Sequence, residues 1–314
     1  RAGRIRPRCA ARDRVAAVNL PVVELFLPLA LAFIMFALGL TLVVADFKRV
    51  FTRPRAMLVG LAGQMLLFPV FAYALALAWR LPAEMAVGLM ILAACPGGVS
   101  SGLLTHLARG DTALSISLTA VTSVAAVITV PFVVDLAMAR FMHSAAGVEF
   151  PLLKMVRGVF LLTTVPVVLG MSLKAWRPAL ALRLERPAGR LATALFVLIV
   201  LATFFSQRQV LMANLGSIGP AAMLLNLLVI AAGFAMARAG GLQRRDRIAV
   251  ATECGLQNAG LGIFIAASVM QSPAMTVPSV VYALLMNFGA IGFVILMRGR
   301  ERNFAGGRTD AAVR

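Results

Sequence analysis

Runs free of Asp, Glu, Lys and Arg occupy residues 25–45, 56–79, 85–108, 112–134, 158–173, 191–207 and 209–237, and the stretch 248–297 holds a single charge, Glu253. A bilayer-crossing helix needs about 20 apolar residues, so the last stretch must contain two, divided near Gln271, Ser272 and Pro273. The runs 158–173 and 191–207 are short but extend by snorkelling of flanking Arg and Lys. The pattern predicts an all-α integral membrane protein of about nine transmembrane helices.

Composition agrees. Hydrophobic residues make up 61% of the 314 and charged residues 13%, against roughly 25% charged in soluble domains. The net charge of +18 alone would fit a nucleic-acid partner. The apolar fraction excludes it, because a soluble chain of this size cannot hide so much hydrocarbon. By position, 19 basic residues fall after the first, third, fifth and seventh spans or beyond the last, and five on the opposite loops. The positive-inside rule then predicts a multi-pass inner-membrane protein with a cytoplasmic C-terminus and a basic tail over 298–314. Six arginines in residues 1–14 violate that pattern. A disordered tail or upstream extension over 1–19 is one reading, and a leader or anionic-lipid contact the other. Arginine greatly outnumbers lysine, which points to a GC-rich bacterial genome. Three scattered cysteines and two histidines leave nothing for a disulfide framework and almost nothing for zinc or haem.

Two spans are interrupted. The third carries Cys95-Pro96-Gly97-Gly98 at its middle, where proline removes a donor and glycine favours unwinding. A break at membrane depth is tolerated where it lines a cavity or packs in protein. A merely kinked structural helix is the alternative for this span taken alone. Ser100, Ser101 and Thr105 follow with hydroxyls. The eighth span carries Glu253-Cys254-Gly255-Leu256-Gln257-Asn258-Ala259-Gly260. An intramembrane carboxylate costs a few kcal/mol and marks a functional site by default. Pairing with Arg247, about 9 Å earlier along a helix, is the structural alternative, and Gln257 and Asn258 weigh against it. The breaks lie five spans apart, so their helices run in opposite directions, as inverted-topology repeats require. Glu253 near hydroxyls and carbonyls suits a hard cation such as sodium. The half-helix N-termini near Val99 and Asn258 suit an anionic group. These features describe a secondary symporter.

The segments Cys95-Pro96-Gly97-Gly98-Val99-Ser100-Ser101, Leu107 to Ser115 and Glu253 to Leu261 resemble the bile acid:sodium symporter family, as do Met35 to Leu42 with Asp46-Phe47, and Gly60 to Gln64 before Pro69. The resemblance covers roughly 20–297. It implies a panel domain (20–45 and 152–206) against a core domain (56–138 and 209–297), with the two discontinuous helices crossing in the core. It implies a nine-helix form, without the additional N-terminal helix of ten-helix members. Carried over by motif, one sodium site would use Ser101, Ser115, Thr119 and Glu253. A second would use Gln64, Glu253, Gln257 and the carbonyls of Cys254 and Leu256. Substrate contacts would come from Val99, Ser100, Asn258 and Asn287. One position departs: Gly102 stands where the family usually has asparagine, which removes a side-chain oxygen from the first sodium site.

The expected function is sodium-coupled symport of an organic anion, bile-acid-like or a small monocarboxylate, by alternating access. Sodium is the coupling ion, no other cofactor is expected, and the partners are membrane lipid, sodium and the anion. The alternative is the same fold with proton coupling at Glu253 or no cation coupling. An intramembrane enzyme is disfavoured, because the spans offer one deep acid and no histidine cluster.

Overall fold

The computed structural model describes residues 20–98, 100–142 and 152–311, with side chains between 25 and 298; the basic segment 1–19, Val99 and residues 312–314 lie outside the described residues. Helix α1 (Leu20–Thr41) turns by 67° into α2 (Val44–Thr52). The Asp46 carboxylate fixes that corner by accepting the Val43 N–H at 2.8 Å. Helices α3 (Pro54–Ala78), α6 (Thr112–Phe141), α7 (Leu152–Trp176), α8 (Pro178–Ser206), α9 (Arg208–Ala239) and the Pro273–Arg298 part of α12 (Pro273–Ala311) follow. Among the described residues these six are long and apolar enough to cross a membrane, or seven with the bent α1–α2 pair. The protein is therefore a multi-pass membrane protein.

Four shorter helices fill the rest: α4 (Ala83–Ala94), α5 (Ser101–Leu107), α10 (Arg244–Gly255) and α11 (Ala259–Val269). At 1.5 Å per residue α4 is about 18 Å long, well short of a hydrocarbon core of about 30 Å. The expected interruptions at Pro96–Gly98 and Leu256–Asn258 separate α4 from α5 and α10 from α11. The predicted division between the last two spans falls at Gln271, which has a positive φ of 53°.

Helix lengths differ from the charge-free runs. The run 158–173 sits inside the longer α7, and α8 begins at Pro178, enclosing Arg183, Glu185, Arg186 and Arg190. Long basic side chains carry their charge outward while the backbone stays helical. Lys174 does this in α7, donating to the Thr41 carbonyl at 2.8 Å and lying 3.9 Å from Glu185. Residues 298–311, expected as a separate tail, continue α12.

Helix α1 packs along α7 and α8. A β-carbon on Gly39 would lie 2.3 Å from the Val167 carbonyl oxygen, and one on Gly170 2.5 Å from that of Phe36. This pair of glycines lets the α1 and α7 backbones touch, as small residues do between membrane helices. In the rest of the molecule α4 lies between α6 and α12, and α10 between α6 and α9. At Gly88 a β-carbon would lie 2.3 Å from the Met275 carbonyl oxygen, so α4 and α12 meet as closely. The two breaks meet inside this second group.

Candidate functional site

The unwound segments satisfy each other. Gly98 N–H donates to the Leu256 carbonyl and Asn258 N–H to the Pro96 carbonyl, both at 2.9 Å, an antiparallel bridge between Gly97 and Gln257. This answers the demand that backbone groups freed at membrane depth find partners. It also sets the two breaks antiparallel. The last carbonyl of α10, on Gly255, accepts the Asn226 amide from α9 at 2.7 Å and the Tyr282 hydroxyl from α12 at 3.0 Å. Two helices thus cooperate to hold the end of a third.

Beside the crossing, α5, α6 and α10 bring Ser101, Ser115, Thr119 and Glu253 together. All four are essentially buried, Glu253 at 1% exposure. Ser115 Oγ donates to Glu253 Oε2 at 2.8 Å, and Thr119 Oγ1 donates to Oε1. Ser101 Oγ lies 3.3 Å from Thr119 Oγ1 and 3.4 Å from Ser115 Oγ. Ser115 and Thr119 share one face of α6, four residues apart. The suggested pairing of Glu253 with Arg247 does not form: Arg247 Nε donates to the Leu242 carbonyl at 2.6 Å. Among the described residues no basic side chain lies within ion-pair distance of Glu253.

A second polar pair stands across the crossing. Gln64 Nε2 donates to Gln257 Oε1 at 2.7 Å and to the Cys95 carbonyl at 3.3 Å, and Gln257 Nε2 donates to the Cys254 carbonyl at 3.2 Å. Gln64 stands in a π-helical turn of α3, Gly63–Leu67, a local widening frequent at functional sites. Its Oε1 is buried with no hydrogen-bond partner among the described residues. Gln64 also borders a cavity of about 10 Å³, shared with Cys95, Pro96, Thr122 and Thr129, about the space one water needs. The Leu256 carbonyl is engaged by the crossover bond from Gly98.

The expected substrate residues divide. Ser100 stands half-buried just before α5. Asn258 caps α11, accepting the Leu261 N–H at 3.1 Å, while its amide lies 3.7 Å from Met35 Sδ on α1. A β-carbon on Gly260 would meet Leu31 of α1 and Phe196 of α8, so the start of α11 abuts the α1–α7–α8 group. Asn287 stands half-buried in α12, where its amide donates to the Ala283 carbonyl, one turn back, at 3.3 Å. Val99 falls outside the described residues.

Sequence reasoning read Gly97 only as part of the break, and missed Asn226 and Tyr282. A β-carbon on Gly97 would lie 1.8 Å from Glu253 Oε1, so glycine there makes room for the carboxylate and not only for the break. Asn226, a lone amide in an otherwise apolar span, carried a usable signal. Tyr282 carried none.

A profile of the Sodium Bile acid symporter family matches residues 28–214. The chain belongs to this family. Similarity within it extends to a protein of Bacillus subtilis named as an uncharacterized sodium-dependent transporter, 29% identical over 83% of this chain and 79% of that protein. A rice chloroplast protein named as a probable sodium/metabolite cotransporter is 26% identical over 86% of this chain and 63% of its own length. The human P3 protein is 29% identical over 77% of this chain and 50% of its own. The chain thus spans about three fifths of the chloroplast relatives it matches. The family is one of transporters, not enzymes. Its matched segment holds Gln64, Ser101, Ser115 and Thr119, while Glu253 and Gln257 lie beyond it.

Proposed function

We propose that this chain couples the entry of sodium to that of an organic anion, bile-acid-like or a small monocarboxylate, by alternating access. The observation carrying this is Glu253, a carboxylate sealed from water and held by hydroxyls alone. An isolated buried charge is costly, so an exchangeable cation is the natural partner. The oxygens of Ser101, Ser115, Thr119 and Glu253 form an all-oxygen set of the kind hard cations take. The second sodium would use Gln64, Gln257, Glu253 and the carbonyls of Cys254 and Leu256, and the orphaned Gln64 Oε1 supports it.

The anion would bind where the α11 N-terminus and Asn258 face α1 and α8, with Ser100 as a further contact; helix N-termini favour negative charge. Asn287 would join through its amide oxygen or its second N–H, with the bond to Ala283 kept. Helices α1, α7 and α8 serve as the panel and the rest as the core that moves against it. Counting each broken pair as one crossing, and α1–α2 as another, gives nine. The clustering of Arg53, Arg244 and Arg245 near one end agrees with a cytoplasmic C-terminus in the inner membrane. Sodium, by assembling α5, α6 and α10, raises anion affinity, and the anion raises sodium affinity by the same factor, typically about 5- to 150-fold.

The test is uptake of labelled carboxylates into proteoliposomes of the full chain under an inward sodium gradient. Uptake should rise with the gradient and collapse when sodium is replaced by potassium at fixed pH. A second reading, proton coupling through Glu253, is favoured by Gly102, which leaves the first site one side-chain oxygen poorer than in the family. It requires uptake without sodium that follows the pH gradient, and that result would overturn the sodium reading.

A further inference from the structure

Away from the crossing, α9 and α12 run parallel with a groove between them. The register is set by three contacts in order: a Gly289 β-carbon would lie 3.6 Å from Leu227, the Phe234 and Phe293 rings are 6.0 Å apart, and Arg244, just after α9, donates to the Met297 carbonyl at 2.8 Å. The groove is apolar, with a volume of about 520 Å³, within the roughly 300–1,000 Å³ of ligand pockets. Leu227, Phe288 and Leu296 on its walls are 49%, 67% and 53% exposed. Gly292 leaves it open, with nothing within 4 Å of where a β-carbon would stand. At one end the walls become cationic. Arg238 lies one turn beyond Phe234 on the same face of α9, and Arg244 is fixed on the Met297 carbonyl of the α12 wall. Among the described residues Arg238 has no carboxylate within ion-pair distance.

We propose that the α9–α12 groove is a binding site for an anionic phospholipid, with one acyl chain along Leu227, Phe288, Gly292 and Leu296 and the phosphate at Arg238 and Arg244. An apolar slot alone takes any lipid tail. The arginines at one end select the headgroup, since basic side chains at a membrane surface each attract anionic lipid by about 1 kcal/mol, close to five-fold. This site is independent of sodium coupling at Glu253.

The test is native mass spectrometry of the full chain, extracted in detergent and supplied with phosphatidylglycerol or phosphatidylethanolamine of identical tails. Wild type should retain phosphatidylglycerol at least about five-fold better. Arg238→Gln should cost about five-fold, and Arg298→Gln, on the far face of α12, should cost less. Gly292→Phe, which fills the groove without a clash, should abolish most retention while leaving the thermal transition in place; Ala231→Phe, on the opposite wall, serves if that variant misfolds. Equal retention of the two lipids, or undiminished retention in both filled-groove variants, would overturn the proposal. So would stabilisation by glycerol phosphate alone equal to that by the whole lipid, or disulfide cross-linking of Gly292→Cys between two copies, which would put a second chain in the groove.

Discussion

Helix α10 carries two buried carboxylates two turns apart, Asp246 and Glu253, and they are treated oppositely. Asp246, in the first turn, accepts both contacts of the Arg53 guanidinium, at 2.9 and 3.1 Å, and Arg53 also reaches Asp111 at 2.5 Å. Asp111 meanwhile caps α6, accepting the Leu114 N–H at 3.0 Å. One guanidinium thus ties the starts of α3, α6 and α10. Burial works against the Arg53 charge, but its hydrogen bond to Asp111, the attraction of both carboxylates and its hydrogen bond to Asp246 outweigh that and hold its pKa above the ordinary value. Glu253 has two donated hydroxyls and no cation. A fixed protein cation makes Asp246 a permanent fastener. Glu253 lacks one, and it is on that difference that the proposed coupling rests.

The sharpest way to break this contrast is Glu253→Gln, which keeps the shape and removes the charge. We expect sodium-driven uptake to fall by about a hundred-fold, the equivalent of the roughly 2.5–3.5 kcal/mol attached to an intramembrane charge. The sodium-free protein should melt no lower than wild type. If it melts much lower, the carboxylate is a structural fastener after all. Gly97→Ala attacks the same group from the backbone, since the new methyl would overlap Glu253 Oε1 and push it off Thr119. Sodium-dependent stabilisation should weaken at least about ten-fold, because losing a charge-assisted hydrogen bond costs about 1.5–3 kcal/mol. Gly98→Ala is the control: its β-carbon stands 3.1 Å from the Gln257 carbonyl oxygen and away from the carboxylate, so it should do less.

Arg53→Ala probes the other side. It leaves Asp111 and Asp246 facing each other without their cation. Fully buried pairs broken this way cost about 3–5 kcal/mol; the partial exposure of Arg53 and Asp111 reduces the expected loss to about 1–3 kcal/mol. Chemical denaturation should report that loss, and the sodium concentration for half-maximal uptake should stay within about two-fold of wild type. A sodium affinity that moves with Arg53 would mean that the two carboxylates of α10 are coupled along the helix.

Much of this was legible in the chain. Pro96 with two glycines, and Glu253 in fifty otherwise uncharged residues, located the crossing, because backbone breaks and charges are costly in lipid and must be answered nearby. The hydroxyls of Ser115 and Thr119 are ordinary in sequence, and only the family resemblance singled them out before the fold placed them on the carboxylate. The Arg53 fastener was not legible. Arg53 and Asp246 are 193 residues apart, each among other charges at a loop where a salt bridge is one of many options. The bend between α1 and α2 escaped notice for a related reason: Asp46 looks like the end of a span, and its role in starting a new helix depends on the Val43 N–H it accepts. Asn287, marked by its isolation in an apolar run, gives one amide N–H to Ala283 of its own helix, a contact the sequence alone does not show.

The finest test concerns Gly102. On α5 a β-carbon there would meet Ile116 Cγ1 at 3.4 Å and nothing closer, so the β-carbon of the asparagine that the resemblance suggests is accommodated, and asparagine better suits a helix than glycine does. Two effects must then be separated. Replacing glycine within a helix stabilises by up to about 1 kcal/mol with or without sodium. An added amide oxygen near Ser101 contributes only when the cation is present, and by analogy with a neutral hydrogen bond is worth about 0.5–1.5 kcal/mol, or about two- to ten-fold in sodium affinity. Gly102→Ala supplies the first effect without the second. Sodium-dependent thermal shifts of wild type, Gly102→Ala and Gly102→Asn should therefore give unchanged affinity for alanine and tighter binding for asparagine. Equal sodium affinity in all three would mean that the oxygens already assembled on Glu253 complete the site, and that the missing asparagine is not what distinguishes this chain.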